Sequence, residues 1–287
     1  MIKENLFKYL SLFAALCSII FLFGIIFSIF REGLPIFKTA GLFKFLFGTA
    51  WYPTSEPAEF GILPLIVGSI VVTIGALIVS IPLGVGSAIY LSEMARPWTR
   101  EILKPFIELL AGIPSVIFGL FGMAFLSPFI MRLFHLNTGL NAFTASIILG
   151  LMVVPIISSL SEDAISAVPK SLREAAYALG ANKWETIRRI ILPAAKSGII
   201  SSIILGFGRA IGETMVVLMV AGGSAIIPKS IFQPVRPMTS AIAAEMGETV
   251  VGDDHYRALF GIAIVLFIII FASNLITESV KRKIKRK

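Results

Sequence analysis

The sequence predicts an all-α membrane protein built as a bundle of six transmembrane helices, and three observations lead there. Of the 287 residues, 56% are hydrophobic and only 15% charged, and the mean hydropathy is +0.91, above what a water-facing surface carries. The apolar residues gather into six runs, each long enough to cross ~30 Å of hydrocarbon, with short charged stretches between them. The basic residues are divided unequally between alternate connecting stretches, as the sides of a membrane require.

The runs lie at about 9–30, 62–91, 106–131, 142–160, 198–222 and 258–278, and residues 1–287 read as a single transmembrane domain. A charged start precedes the first run, as in a secretory signal. That run has the ~20 residues a span needs and no A-x-A cleavage site, so it reads as a retained helix. An even number of spans puts both ends on one side. With the N-terminus inside, 17 of the 25 Lys and Arg fall on the cytoplasmic side and 7 outside, the last being Arg209 within the fifth run. The positive-inside rule therefore predicts cytoplasmic N- and C-termini.

The net charge of +8 does not imply a nucleic-acid partner, because most Lys and Arg flank apolar runs, where they meet anionic lipid headgroups. Cys17 is the only cysteine, which excludes a disulfide within the chain and a cysteine metal cluster. His135 and His255 stand in different loops with no ligand spacing, so no metal is expected. Pro64, Pro82, Pro114, Pro128 and Pro155 are expected to interrupt the spans, and glycine is frequent beside them, at Gly75, Gly84, Gly86, Gly112, Gly119 and Gly122. Such a bundle bends, as transport proteins do.

The stretch 161–197 is long, charged and rich in helix punctuation. Ser171 and Glu174 have capping-box spacing, which predicts a helix starting after Ser171, and Gly180 supplies a left-handed stop. Asn182 and Glu185 predict a second capped helix running to Pro193. Ala175, Ala176 and Ala178 give the first helix a small-residue surface that permits close approach by a partner. Trp184, Ile187 and Ile191 give the second an apolar stripe.

Glu174, Ala175, Ala176, Gly180, Ile190, Leu192 and Pro193 stand in the order and spacing E-A-A-x3-G-x9-I-x-L-P, without gap or substitution. This resembles the signature of ATP-binding-cassette importer permeases. The resemblance implies the type I, MetI-like bundle, with the first short helix as a coupling helix seated in a groove of a separate ATPase. Glu174, Ala175, Ala176 and Gly180 are then the ATPase-coupling residues. It further implies a multi-pass protein of a prokaryotic cytoplasmic membrane, paired with a second permease and two ATPase subunits.

The chain itself is not expected to be an enzyme or to hold a cofactor. Its nearest approach to a phosphate loop is GSAIIPKS at 223–230, where Pro228 replaces the second glycine, removes a backbone donor and fixes φ. ATP is expected to bind the partner subunits.

The fifth run holds Arg209 and Glu213 near mid-membrane, where charge is costly and marks function. Four residues apart, they are expected one turn apart on one helix face. Gly208 and Gly212 form a G-x-x-x-G that lets a helix or a small ligand approach the backbone. Arginine's planar fork suits an oxyanion, while a gating or packing salt bridge remains the competing reading. RAIGETM at 209–215 is similar to the fifth-span motif of phosphate-importer permeases, and AGIPSVIFGLFG at 111–122 resembles their third-span motif. FGTAWYPTSEPAEFGILPLIVGS at 47–69 and MTSAIAAEMGE at 238–248 look like the C-type subunit of that pair. This implies a substrate path past Arg209, Glu213, Thr214 and Ser115, an A-type permease as partner, and an extracytoplasmic phosphate-binding protein that delivers inorganic phosphate.

Glu93 and Glu108 are expected to be solvated or paired with loop arginines. Glu162 and Asp163 are expected to open the cytoplasmic loop and favour its first turn. Glu245, Glu248, Asp253 and Asp254 make the last outer loop acidic, with no single reading favoured. The rival functions are an importer of this class carrying another oxyanion or polar nutrient, and an ATP-independent transporter or channel, which has no use for such a loop.

Overall fold

The computed structural model describes the backbone of residues 2–285 and the side chains of residues 7–276, 278 and 279. Lys3 and the basic tail from Lys281 onward, which enter the positive-inside count, lie outside the described side chains. Six helical stretches are long and apolar enough to cross a membrane, at Phe7–Phe47, Leu63–Met94, Ser115–Leu133, Ala142–Ser166, Lys183–Ile211 and Asp254–Ile276. The predicted number of spans holds, while several of the predicted boundaries move.

Helix α1 (Ile2–Ile36) overruns the expected 9–30 and continues through a π-helical turn at Phe37–Gly41 into α2 (Leu42–Phe47). A two-residue hairpin, β1 (Trp51–Tyr52) against β2 (Glu59–Phe60), leads into α3 (Leu63–Ile89), the second span as expected. The third run divides. Helix α4 (Pro97–Ala111) stops, residues 112–114 turn, and α5 (Ser115–Phe121) and α6 (Ser127–Leu133) follow, joined by a π-turn. Pro114 pushes Ile113 away from helical geometry, and α4 carries Arg100, Glu101, Lys104 and Glu108, too many charges for hydrocarbon.

Helix α7 (Ala142–Ser166) starts at Asn141, whose side chain accepts the Thr144 N–H at 2.9 Å, and runs past the expected 160. After α8 (Lys170–Ala178), α9 (Lys183–Thr186) passes through a π-turn at Ile187–Ile191 directly into α10 (Leu192–Ile211). Pro193 therefore does not end the second loop helix. The wide turn before it accommodates the ring and the missing N–H. The fifth run breaks after Ile211 and resumes as the short α11 (Met215–Val220), followed by α12 (Met238–Glu245) and α13 (Asp254–Lys285).

Proline interrupts less than expected. Pro64 sits in the first turn of α3, where no N–H is needed, Pro128 follows the π-turn of a continuous helical stretch, and Pro82 and Pro155 lie inside continuous helices, leaving Pro114 at the one true break among the five.

The core is the parallel pair α3 and α7, and glycine sets how close they come. A Cβ on Gly75 would stand 2.3 Å from Ser146 Oγ, and one on Gly150 would stand 2.8 Å from Val79 Cβ and 2.9 Å from the Ala76 carbonyl oxygen. Val72, Ala76, Ile148, Leu149, Val153 and Ile157 are buried there with Val216, Val217 and Val220 of α11. A second cluster joins α1 and α13 through Ile36, Phe45, Ile62, Leu65, Leu259 and Ile262. A third, of Ala88, Ile165, Val168, Ile187, Ile191 and Ala195, lies on the face that carries α8, here termed the basic face.

Gly150→Leu should therefore force α3 and α7 apart and cost about 1–3 kcal/mol or more of overpacking strain. Gly86→Leu, where an added Cβ meets nothing within 4 Å, should be neutral. Thermal melts of the two variants in one detergent check the difference.

Candidate functional site

The fifth-span break is built by Glu213. Helix α10 ends at Ile211, Gly212 closes it, and Glu213 Oε1 accepts the N–H groups of Met215 at 3.1 Å and Val216 at 3.4 Å, opening α11. The Thr239 hydroxyl of α12 donates to the Glu213 carbonyl oxygen at 2.7 Å and fixes the turn to its neighbour. The Glu213 side chain is only 4% exposed, and Oε2 lies 3.7 Å from the Arg209 guanidinium, which is 51% exposed. The expected pair thus exists, but it spans the break instead of one helical turn.

At 3.7 Å this is an ion pair without a hydrogen bond, and among the described residues no hydrogen bond occupies the guanidinium. Its fork remains open. Beside it, a Cβ on Gly208 would meet nothing within 4 Å, so among the described residues nothing packs against Gly208.

Ser115, half-buried, is the first residue of α5 after the third-span break. The two broken spans are neighbours, since a Cβ on Gly119 would stand 2.6 Å from Met219 Sδ and one on Gly122 would stand 2.8 Å from Val220 Cγ1. Gly119 and Met219 each lie four residues into their helices, which brings Ser115 and Met215 to the same level. Thr214 is half-buried in the turn, its hydroxyl 3.4 Å from the Gly212 carbonyl oxygen.

On the basic face, Glu174, Ala175 and Gly180 are exposed, and Gly180 has the expected left-handed φ of +83°. Ala176 departs from expectation in being buried, so it packs inward and is closed to a partner. The capping box at Ser171 and Glu174 is absent. Pro169 already holds the extended N-cap geometry, so α8 starts at Lys170 and Ser171 falls inside it. The second box is present, Asn182 accepting the Glu185 N–H at 2.9 Å and Glu185 accepting the Asn182 N–H at 3.0 Å. Trp184 also leaves its expected stripe. Ile187 and Ile191 are buried, while Trp184 joins Leu172, Tyr177 and Leu179 on the exposed surface, Leu179 being 89% exposed.

Glu162 does not open the loop. It is 1% exposed within α7, bonded to Lys104 Nζ at 2.6 Å, to the Ser166 hydroxyl at 2.8 Å and to the Arg100 guanidinium. The hydrogen bond to Glu162 raises the Lys104 pKa above its ordinary value, and partial burial only partly opposes this. A raised folded-state value means this contribution is fully present below the ordinary lysine range and is lost only as pH climbs past the raised one. Glu93 pairs with Arg173 of α8 at 2.7 Å, as expected of a loop arginine. Glu108 is exposed.

At the opposite, far face, Glu245, read in the sequence only as part of an acidic outer loop, ends α12 and is a hub. It accepts the Trp51 indole N–H at 3.1 and 3.2 Å, pairs with Arg236, and lies 2.9 Å from His255 Nε2, beside a cavity of about 580 Å³.

Spans that break where charged side chains enter are the architecture of membrane permeases. Residues 80–287 match the binding-protein-dependent transport system inner membrane components, and the chain belongs to this family of ABC importer permeases. It is 38% identical to the probable ABC transporter permease protein YqgH of Bacillus subtilis, over 88% of this chain and 83% of that one. It is 35% identical to the phosphate transport system permease protein PstC of Mesorhizobium japonicum, over 90% and 84% of the two chains. A bacterial alginate ABC transporter, solved with its alginate-loaded periplasmic protein, matches 98% of this chain and 97% of its own with a TM-score of 0.66 at 17% identity. The MetNI methionine transporter matches 78% and 94% with a TM-score of 0.57 at 17% identity. The fold is that of type I importer permeases.

Glu245→Ala should leave the Trp51 N–H without its acceptor and the Arg236 guanidinium with only the Gly223 carbonyl oxygen, and cost about 1.5–3 kcal/mol, as for other bonds to charged groups. A lower Tm in detergent, with Trp51 fluorescence shifted, is the expected result.

Proposed function

We propose that the chain is the C-type permease subunit of an ATP-driven, binding-protein-dependent importer of inorganic phosphate, with both termini on the cytoplasmic side. The open guanidinium of Arg209 carries the cargo assignment. It is an uncommitted planar donor set within a span, held by a buried carboxylate that balances its charge without filling its bonds. Relatives named as phosphate transport system permeases, at 32–35% identity over most of the chain, support the same reading.

The basic face would be cytoplasmic. There α8, with exposed Glu174, Ala175 and Gly180 and the apolar surface of Leu179 and Trp184, would dock on the ATPase. ATP would bind those partners, two in number, and this chain would carry out no covalent chemistry. The unoccupied Gly208 face beside Arg209 suits a second, A-type permease across the path. A phosphate-binding protein would deliver cargo at the far face. Ser115 and Thr214 would add hydroxyl contacts where the two broken spans meet, weak enough for the ion to leave.

Reconstituted with its partners in proteoliposomes, Arg209→Ala should lower phosphate uptake roughly 10- to 100-fold, the value of a charged hydrogen bond. Undiminished uptake removes the site, sulfate uptake in place of phosphate removes the cargo, and uptake without the ATPase removes the importer reading. Leu179→Asp, placing a charge on the docking surface, should abolish co-purification of the ATPase and leave the permease folded.

A further inference from the structure

Helix α8 reaches the two broken spans by different routes. One is direct, because the chain passes from α8 through Gly180 into the continuous helix Lys183–Ile211, which ends at the Glu213 turn. The other is indirect. Arg173 of α8 bonds Glu93 at the end of the second span at 2.7 Å, and bonds the carbonyl oxygens of Ile165, at 3.0 Å, and Val168. These contacts tie α8 to the basic-face ends of α3 and α7.

From there the connection to α5 passes through Glu162. Its two carboxylate oxygens hold Arg100 and Lys104 of α4, Lys104 reaches Asp163 at 3.2 Å, and Arg100 reaches the Ser166 hydroxyl at 3.1 Å. Helix α4 buries no residue of its own. Arg100, Lys104 and Ile107 are half-buried at helical spacing, so the face toward α7 is held mainly by charge. Only Gly112, Ile113 and Pro114 separate α4 from Ser115.

We propose that Glu162 is a positioning residue for transport, the joint through which displacement of α8 and the end of α7 is passed to α4 and on to the third-span break beside Ser115. With it, both breaks follow α8 together. Without it, α4 slides on α7 and only the Glu213 turn responds. The inference rests on the importer reading for the presence of an ATPase but not on the identity of the cargo.

The test uses the assembled permease and ATPase complex in a Cys17→Ser background with Ile113→Cys as the probe. Maleimide labelling at position 113 is timed with and without ATP, ATP hydrolysis is measured on the same samples, and phosphate uptake is measured in parallel. With Glu162 intact, the labelling rate should differ at least about fivefold between the two states, the lower end of coupling between sites. Glu162→Gln should lose that difference while the complex still hydrolyses ATP, and Glu162→Asp should keep it. Lys104→Gln, a change at a half-exposed residue that leaves Arg100 on the carboxylate, should reduce it partly.

A nucleotide response at position 113 that is undiminished in Glu162→Gln or in Lys104→Gln overturns the proposal. So does its absence with Glu162 intact. Should Glu162→Gln not assemble, Lys104→Gln alone decides. A complex that responds at position 113 but takes up no phosphate refutes the cargo and leaves the joint standing.

Discussion

Inside a hydrocarbon slab, a peptide group that leaves its helix has no water to bond, so every break in a span has to be repaired by the protein itself. The third-span break is repaired by its own backbone, through Gly112 N–H to the Leu109 oxygen at 3.0 Å, Ile113 N–H to that of Leu110 at 3.3 Å, and Ile117 N–H to that of Pro114 at 3.0 Å. The fifth-span break has backbone bonds of the same kind, Gly212 N–H to the Gly208 oxygen at 3.3 Å and Glu213 N–H to that of Ala210 at 3.2 Å, and adds a side-chain acceptor, Glu213, for two N–H groups at the start of α11. A carboxylate at that depth needs a compensating charge, and Arg209 supplies it from across the turn at 3.7 Å. The exposed arginine of the proposed path thus follows from the break.

Legibility in the sequence divides along the range of the interaction. The Asn182 and Glu185 capping box, the left-handed Gly180 and the stop at Pro114 depend on residues within a turn of one another, and each appears as read. Ser171 and Glu174 have the same spacing as the true box, yet Pro169 starts the helix two residues earlier and places Ser171 inside. Competition between adjacent signals is invisible to a motif. Glu162 lies 62 residues from Arg100 and Glu245 lies 194 from Trp51, and no local pattern announces either contact. The spans themselves were legible because hydropathy decides them. Their ends were not, because helices overrun the apolar run wherever polar side chains find partners at the membrane edge, as Glu162 does at the end of α7.

The stiffness of the bundle is also uneven. Where α3 meets α7, glycine contacts closer than a Cβ allows leave no room to shear, and this pair forms a rigid keel. Around it lie elements held by few contacts. Helix α4 buries no residue and is fixed by charge, and α5 is short and buries only Gly119. Motion is expected in these pieces, since local opening follows sparse apolar burial. They are also the pieces that border Ser115, whereas α11 is anchored in the core through Val216, Val217 and Val220.

Stability alone gives no reason for charge at the root of α4. Removing one partner from a buried ion pair typically costs about 3–5 kcal/mol, yet a well-packed apolar replacement for the whole pair is often neutral or better. Part of the gain at Glu162 is discounted further, because Arg100 and Lys104 are 41% and 32% exposed and screened on their outer sides. What charge provides that an apolar patch does not is register. Greasy faces slide over one another at little cost, whereas a carboxylate of α7 bonded by the lysine and arginine of α4 fixes α4 along α7 to within a hydrogen-bond length. A joint that must transmit displacement needs fixed register more than it needs adhesion, and the bonds at Glu162 have that character.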